Sequence, residues 1–210
     1  FMFLTTAQWI ERVKTDMEEL TPDWDNVVSQ TGGADIDRYI RAKWPEALAQ
    51  QLLIAPEYLC QGIDISTKLS PQMRQDGSGR VVLPKDMLRM LRFEMKGWRR
   101  PVTHFLDNRH PMAEKQYNPY ARGGTEKPVA IITTDDYGNT VLDYFSLPPY
   151  LYRHEIKSAT YLPIPQEKEG GYDLYPLLGD STCYLCAALV YEILGQSEKA
   201  ATMRRQMLFT

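Results

Sequence analysis

Three cysteines, three histidines and no long apolar run set the first limits on this 210-residue chain. An odd cysteine count in a chain of this length argues against a disulfide framework, so Cys60, Cys183 and Cys186 are expected as reduced thiols. Cys183-Tyr-Leu-Cys186 has the spacing of a redox or half-zinc pair. It lies in the apolar run TCYLCAALVYEIL, however, with no second cysteine pair nearby, and reads as buried core. His104, His110 and His154 have no partner at metal-ligand spacing, so structural or solvent-facing roles are expected, with no metal and no cofactor. Surplus charge is also scarce: 24 Lys and Arg against 27 Asp and Glu give a net charge of -3 and a pI near 5.7. That balance excludes a globally basic surface of the kind that grips nucleic acid by its phosphates, and leaves room only for a local basic patch. No apolar stretch approaches the roughly 20 residues that cross a bilayer, and the start FMFLTTAQWIERVK lacks the charged-then-apolar order of a signal peptide. The expectation is a cytoplasmic protein without membrane contact.

Catalytic signatures are missing as well. Gly123-Gly124 lacks the lysine and hydroxyl of a phosphate loop and reads as a flexible joint. No serine nucleophile elbow and no paired-carboxylate context stands out. Asp135-Asp136 and Asp143 have the hard oxygen ligands a cation needs, but a hairpin turn spends such aspartates on its own backbone. The chain therefore reads as non-enzymatic, with no catalytic residues to name.

What is present is a change of period along the chain. Trp9, Ile10, Val13, Met17 and Leu20 predict an amphipathic helix after an N-cap at Thr5 or Thr6. Asp35 can cap a second helix over 36–54, striped by Ile36, Tyr39, Ile40, Trp44, Leu48, Leu52 and Leu53; Pro45 predicts a kink or split. From Ile63 the period falls to two, and Ile63, Ile65, Thr67 and Leu69 predict a strand. Asp76-Gly77-Ser78-Gly79 then turns the chain into Arg80–Leu83. Residues 85–95 fit a helical turn followed by a strand, and 104–116 suggest a short helix starting near Asn108. PVAIITT and TVLDYFSL, joined by Asp135–Asn139, form the clearest hairpin, with EIKSATYL as a third strand of the same group. The helical period returns from Leu174, with Pro176 in the first turn and Gly195 as the stop. A last helix over 198–208 is expected to bury Ala201, Met203 and Met207. The fold class that follows is α+β: helix pairs from 1–62 and 172–210 form one bundle, and 63–171 is an inserted antiparallel β module with a short helix and an extended arm.

The middle of the chain carries the candidate functional residues. Gly97-Trp98-Arg99-Arg100-Pro101 reads as a turn that displays an aromatic ring and two guanidinium groups, and the arm from Arg109 to Lys127 is polar and jointed by glycines. Trp98, Arg99, Arg100, Arg109, Arg122 and Lys127 read either as a solvated face or as a protein interface, where Trp and Arg are over-represented as anchors.

The order of four motifs resembles the head-tail adaptor, or connector ring, proteins of tailed bacteriophages, especially those of Bacteroides-type phages and prophages. They are Ile36-Asp37-Arg38-Tyr39-Ile40 with Trp44-Pro45-Glu46-Ala47; Val82-Leu83-Pro84-Lys85-Asp86-Met87; Gly97–Val102 with Gln116-Tyr117-Asn118 and Lys127-Pro128-Val129; and Cys186–Tyr191 with Ala200-Ala201-Thr202-Met203. The resemblance implies a non-enzymatic virion protein assembled in the bacterial cytoplasm. Such a protein forms a ring, typically dodecameric, docks beneath the portal protein and carries tail or further connector proteins, while DNA passes through its lumen without sequence-specific binding. Gln116 and Tyr117 then join Trp98, Arg99, Arg100, Arg109, Arg122 and Lys127 as the candidate assembly interface. The arm becomes a segment expected to order on a neighbour, so that deleting Tyr117–Thr125 would weaken assembly and leave the subunit folded. Two other functions remain open on the residues: a cytoplasmic interaction module unrelated to phage, and an enzyme using carboxylates or Cys183 and Cys186.

Overall fold

A computed structural model describes residues 1–20, 35–148 and 153–209, with the side chains of 19 and 20 excepted. The chain is α+β and divides into two compact units, one made of Phe1–Gln61 with Ile164–Thr210, the other of Gly62–Pro163. The inserted unit therefore ends at Pro163, ahead of the boundary at 171 that the sequence suggests.

In the first unit, β1 (Met2–Thr5) pairs antiparallel with β10 (Gly171–Leu174), Met2 opposite Leu174 and Thr5 opposite Gly171. Helix α1 (Thr6–Leu20) begins with a capping box: Thr5 N–H donates to Gln8 Oε1 at 2.8 Å, and Gln8 N–H donates back to Thr5 Oγ1 at 3.3 Å. Helix α2 (Ile36–Ile54) is capped by Asp35, whose carboxylate accepts from Arg38 N–H. Pro45 lies inside α2 without splitting it, its exposed ring opposite the buried Trp44, Ala47 and Leu48. The stripe differs from expectation at its end, where Leu53 is exposed and Gln51 is buried instead.

Helix α4 (Pro176–Ile193) is the axis of this unit, because its buried residues, from Leu178 through Cys183, Cys186 and Val190, leave little exposed face. It packs on α1, α2 and α5 (Ser197–Gln206). Gly179 permits the closest approach: a Cβ there would lie 2.6 Å from the Trp9 ring, which itself stacks on Trp44 at 4.9 Å. Leu177 and Ile193 of α4 are exposed, and α5 turns Ala200 and Met203 inward; Ala201 is exposed and Met207 only partly buried. Gly195 ends α4 at φ +72°, a backbone region that glycine occupies without strain.

The inserted unit packs two sheets on one core. Strands β2 (Ile63–Asp64), β9 (Ile156–Pro163) and β5 (Met87–Met95) form an antiparallel sheet in the order β2-β9-β5. The second sheet has the order β3-β4-β8-β7-β6, from β3 (Gln72–Met73), β4 (Gly79–Val82), β8 (Thr140–Tyr144), β7 (Ala130–Thr134) and β6 (Leu106–Asp107). Among the described strands, only β6 and β7 run parallel. Phe93, Met95, Ala159 and Tyr161 from the first sheet share a core with Val81, Leu142, Tyr144 and Ala130 from the second. On its other face, the second sheet places Ile131 and Phe145 against Ala113 of the short helix α3 (Ala113–Tyr117) and Leu106.

Several expectations are corrected here. The third strand of the expected group, β9, does not join the β7-β8 hairpin but lies between β2 and β5. The run from Ile63 to Leu69 is a strand for two residues only. Asp64 Oδ1 accepts from Ser66 N–H, and Lys68 and Leu69 N–H both donate to Ile65 O, which closes a turn. The hairpin through Asp76–Gly79 exists, but its first strand is β3. Residues 87–95 are all strand, bulged against β9 and buried on both faces toward the end, so apolar spacing alone could not separate the two periods. The suggested helix over 104–116 shrinks to Ala113–Tyr117.

Candidate functional site

The turn at Gly97–Pro101 is held by its backbone and its tryptophan. Gly97 at φ +99° reverses the chain, Trp98 N–H donates to Met95 O, and Arg99 N–H donates to Thr125 O at 3.0 Å. Phe93 and Val102 then exchange two backbone hydrogen bonds of 3.0 and 2.8 Å. The displayed aromatic ring expected from the sequence is instead buried. Trp98 donates its indole N–H to Phe145 O at 3.1 Å and meets Phe93 edge-on. The ring serves as an anchor, and Arg99 and Arg100 project from the anchored turn into solvent.

The arm is likewise not extended. It folds back on its own sheet through two carboxylates. Asp143 on β8 is fully buried and takes a bidentate bond from Arg80 on the neighbouring strand, 2.7 Å from Nε to Oδ1 and 2.9 Å from Nη2 to Oδ2. Arg74 stands 3.5 Å from Oδ1, and Tyr117 from α3 donates its hydroxyl to Oδ2 at 3.0 Å. Burial and the Asp143 charge push the Tyr117 phenol up to about 12. Arg122 is buried in turn, its guanidinium lying over the Phe145 ring and bonded to Asp76 Oδ2 at 2.7 Å and to Asp76 O at 3.1 Å. Burial opposes ionisation of Asp76, but the Ser78 hydroxyl and Arg122 outweigh it and hold this carboxyl at about 2. Gln116 is buried as well. It donates to Met112 O and accepts from Gly123 N–H, closing the loop between α3 and Gly123. Ser146, in the left-handed region at φ +72°, donates its hydroxyl to Gly123 O.

The eight sequence candidates therefore separate. Trp98 and Gln116 are buried inside the subunit, the Arg122 side chain is largely covered, and Tyr117 stays exposed while its hydroxyl bonds Asp143. Arg99, Arg100, Arg109 and Lys127 remain exposed. Because the arm covers Phe145 and satisfies Asp143, removing Tyr117–Thr125 would uncover both. The deletion is therefore expected to cost stability as well as any contact the arm makes, with Arg80 and Arg74 still on Asp143 and Ala113 still against Phe145.

Around the exposed turn lies a recess of about 380 Å³, lined by Arg100, Pro101, Val102, Thr103, His104 and Pro128. Arg99 pairs with Glu126 at 3.1 Å, both largely exposed, whereas Arg100 and Lys127 have no carboxylate partner among the described residues. Charge is divided between the units. The inserted unit has fifteen Lys and Arg against eleven Asp and Glu, net +4, and the remainder has nine against sixteen, net -7, which together make the overall -3.

Sequence reasoning missed Asp143, Asp76 and Glu94 as structural charges. Glu94 on β5 is buried between Lys157 at 2.6 Å and Arg92 at 2.9 Å. A charged residue inside an apolar strand, as in TVLDYF and RFEM, is the signal that could have found them. Asp135 spends its carboxylate on Tyr137 N–H, Asn139 N–H and the Asn139 amide, and among the described residues no cluster of three acidic, His or Cys side chains is placed to hold a metal. Burial pushes the Cys186 thiol up to about 12 and the Cys183 thiol well above its usual value, so both stay protonated. No described helix is long and apolar enough to cross a membrane. No model of a known protein family matches the chain, and no curated protein matches it.

Proposed function

We propose that this chain is a non-enzymatic structural subunit of a tailed-bacteriophage head-tail adaptor, assembling as a ring beneath the portal protein and carrying tail or further connector proteins. The observation that carries the reading is the division of charge, -7 on the helical unit and +4 on the inserted unit. A ring needs one patch on each subunit to meet a different patch on its neighbour, and oppositely charged units favour such unlike-on-unlike contacts. A second support is the way polar chemistry is used. Asp143, Asp76 and Glu94 are spent on ion pairs that brace the fold, and the exposed cations Arg99 and Arg100 stand on a braced turn. A rigid projecting surface suits docking, since little side-chain and loop order has to be lost on contact. In this reading the protein acts in the virion after assembly in the host cytoplasm, and DNA crosses the ring without base-specific contact.

Mixing the purified chain with purified portal protein and separating the products by sedimentation tests the proposal. A co-sedimenting complex is expected, and portal and chain that sediment independently at the highest soluble concentration would end it.

A further inference from the structure

We infer that the recess beside Arg100 receives the acidic edge carrying Glu11 and Asp37 on the helical unit of a second copy of this chain. The inference rests on the assembly reading above and names its contact.

The recess is short of the groups that would satisfy a cation. Arg100 has no carboxylate partner among the described residues, and Pro101 and Pro128 supply no N–H of their own. Thr103 and His104 add a hydroxyl and an imidazole at the same wall, joined at 3.2 Å. What such a site lacks is an acceptor with negative charge. Val102 in its lining is tied to Phe93 by two backbone hydrogen bonds, and Trp98 anchors the turn that carries Arg100, so the guanidinium stands on braced backbone.

The helical unit has the complementary surplus. Lys14 is shared between two carboxylates, Glu11 Oε1 at 3.2 Å and Asp37 Oδ1 at 3.3 Å, and both acids are exposed. Hydrogen bonding to Glu11 raises the Lys14 pKa, against the opposing effect of burial, as expected of a cation facing excess negative charge. Two carboxylates on one ammonium leave one negative charge for a guanidinium that approaches from outside. The unit charges of -7 and +4 work in the same direction, favouring inserted unit on helical unit over like on like. Nucleic acid suits the recess less well than a side-chain carboxylate. A duplex offers its phosphates along convex rails, and a concave site of about 380 Å³ between two prolines accepts a few side chains and no such rail.

The test is charge reversal in both halves, read by sedimentation velocity at low and high salt. The unaltered chain should self-associate at low salt and dissociate as salt rises. Arg100→Glu and Glu11→Lys should each weaken association by about tenfold or more, and the variant carrying both should recover most of it. Asp37→Lys should act in place of Glu11→Lys, and Arg100→Lys should retain part of the affinity. All these positions are exposed, and circular dichroism verifies that each variant is folded. A chain that stays monomeric at low salt and high concentration overturns the inference. So does failure of the double reversal to restore association, or an Arg100→Glu effect confined to retention on duplex DNA. Portal binding by the same variants separates the two claims: association rescued by the double reversal with no portal complex keeps this contact and removes the adaptor reading, and a portal complex with association indifferent to reversal does the opposite.

Discussion

The helical unit and the inserted unit solve the problem of a stable interior in different ways. The helical unit relies on apolar closeness: α4 is buried along most of its length, Gly179 lets Trp9 approach, and the Trp9–Trp44 stack fills the space beside it. The inserted unit places charge at the heart of its sheets, with Asp143 under Arg80, Arg74 and Tyr117, and Glu94 between Lys157 and Arg92. Buried charge is costly unless paired, and replacing such a pair by apolar residues is often neutral. Its value here is geometric. Asp143 is the point at which β4, β8 and α3 are tied, and that tie holds the Arg109–Lys127 arm on its own sheet.

The two interiors part most clearly at Asp143. Asp143→Ala strands Arg80 and the Tyr117 hydroxyl; because Arg80 and Arg74 keep partial access to water, the expected loss is about 3 kcal/mol by urea denaturation. Hydrogen exchange should quicken in β4, β8 and α3 and stay slow in α4. Equal acceleration in both units would show that the two interiors are not separately maintained.

The converse perturbation is Gly179→Val. Any Cβ at that position meets the Trp9 ring at 2.6 Å, and the stacked indoles leave no easy retreat, so overpacking outweighs the gain in helix propensity and about 2 kcal/mol should be lost. Exchange should quicken in α1, α2 and α4; an unchanged denaturation midpoint would mean that Trp9 repacks freely.

The smallest effect sharpens the contrast through pH. His154 is buried with Nδ1 2.8 Å from the Tyr144 hydroxyl, and burial, partly offset by Asp76, lowers its pKa below the usual 6.5. As pH falls through 6.5 the unfolded chain takes up a proton that the folded inserted unit resists, so stability declines between about pH 7 and 5. Below that window Asp76 and Glu94, whose pKa values are also lowered, lose their own contributions as they protonate. His154→Gln should flatten the slope between pH 7 and 5 in a urea titration, and an unaltered slope would assign it to other groups.

The helical unit was the more legible in sequence, for a reason the comparison explains. Its stabilising pattern is periodic and local, so Trp9, Val13, Met17 and the α4 run announce their faces within a few residues, as do Asp35 as a cap and Gly195 as a stop. The inserted unit is specified by pairs far apart in the chain. Arg80 and Asp143, Asp76 and Arg122, and Glu94 and Lys157 are separated by 63, 46 and 63 positions, and no local window contains both members. Without the partner in view, Trp98, Gln116 and Arg122 read as surface, and the arm reads as extended. The exposed members of the candidate site, Arg100, Arg109 and Lys127, are legible as such because no distant carboxylate among the described residues pairs with them, and Arg99 meets only the exposed Glu126. β1 escaped notice because four residues before a helix are too few to establish alternation.

The pairing of β1 with β10 joins Met2–Thr5 to Gly171–Leu174. A ribosome adds about 5–20 residues per second, so the first strand emerges and waits on the order of ten to thirty seconds before its partner exists. The inserted unit, complete at Pro163, can close in that interval; the helical unit cannot. The nascent chain therefore holds an unpaired strand edge open until Leu174 has been made, and that is the period in which a chaperone or a wrongly paired strand would compete for it.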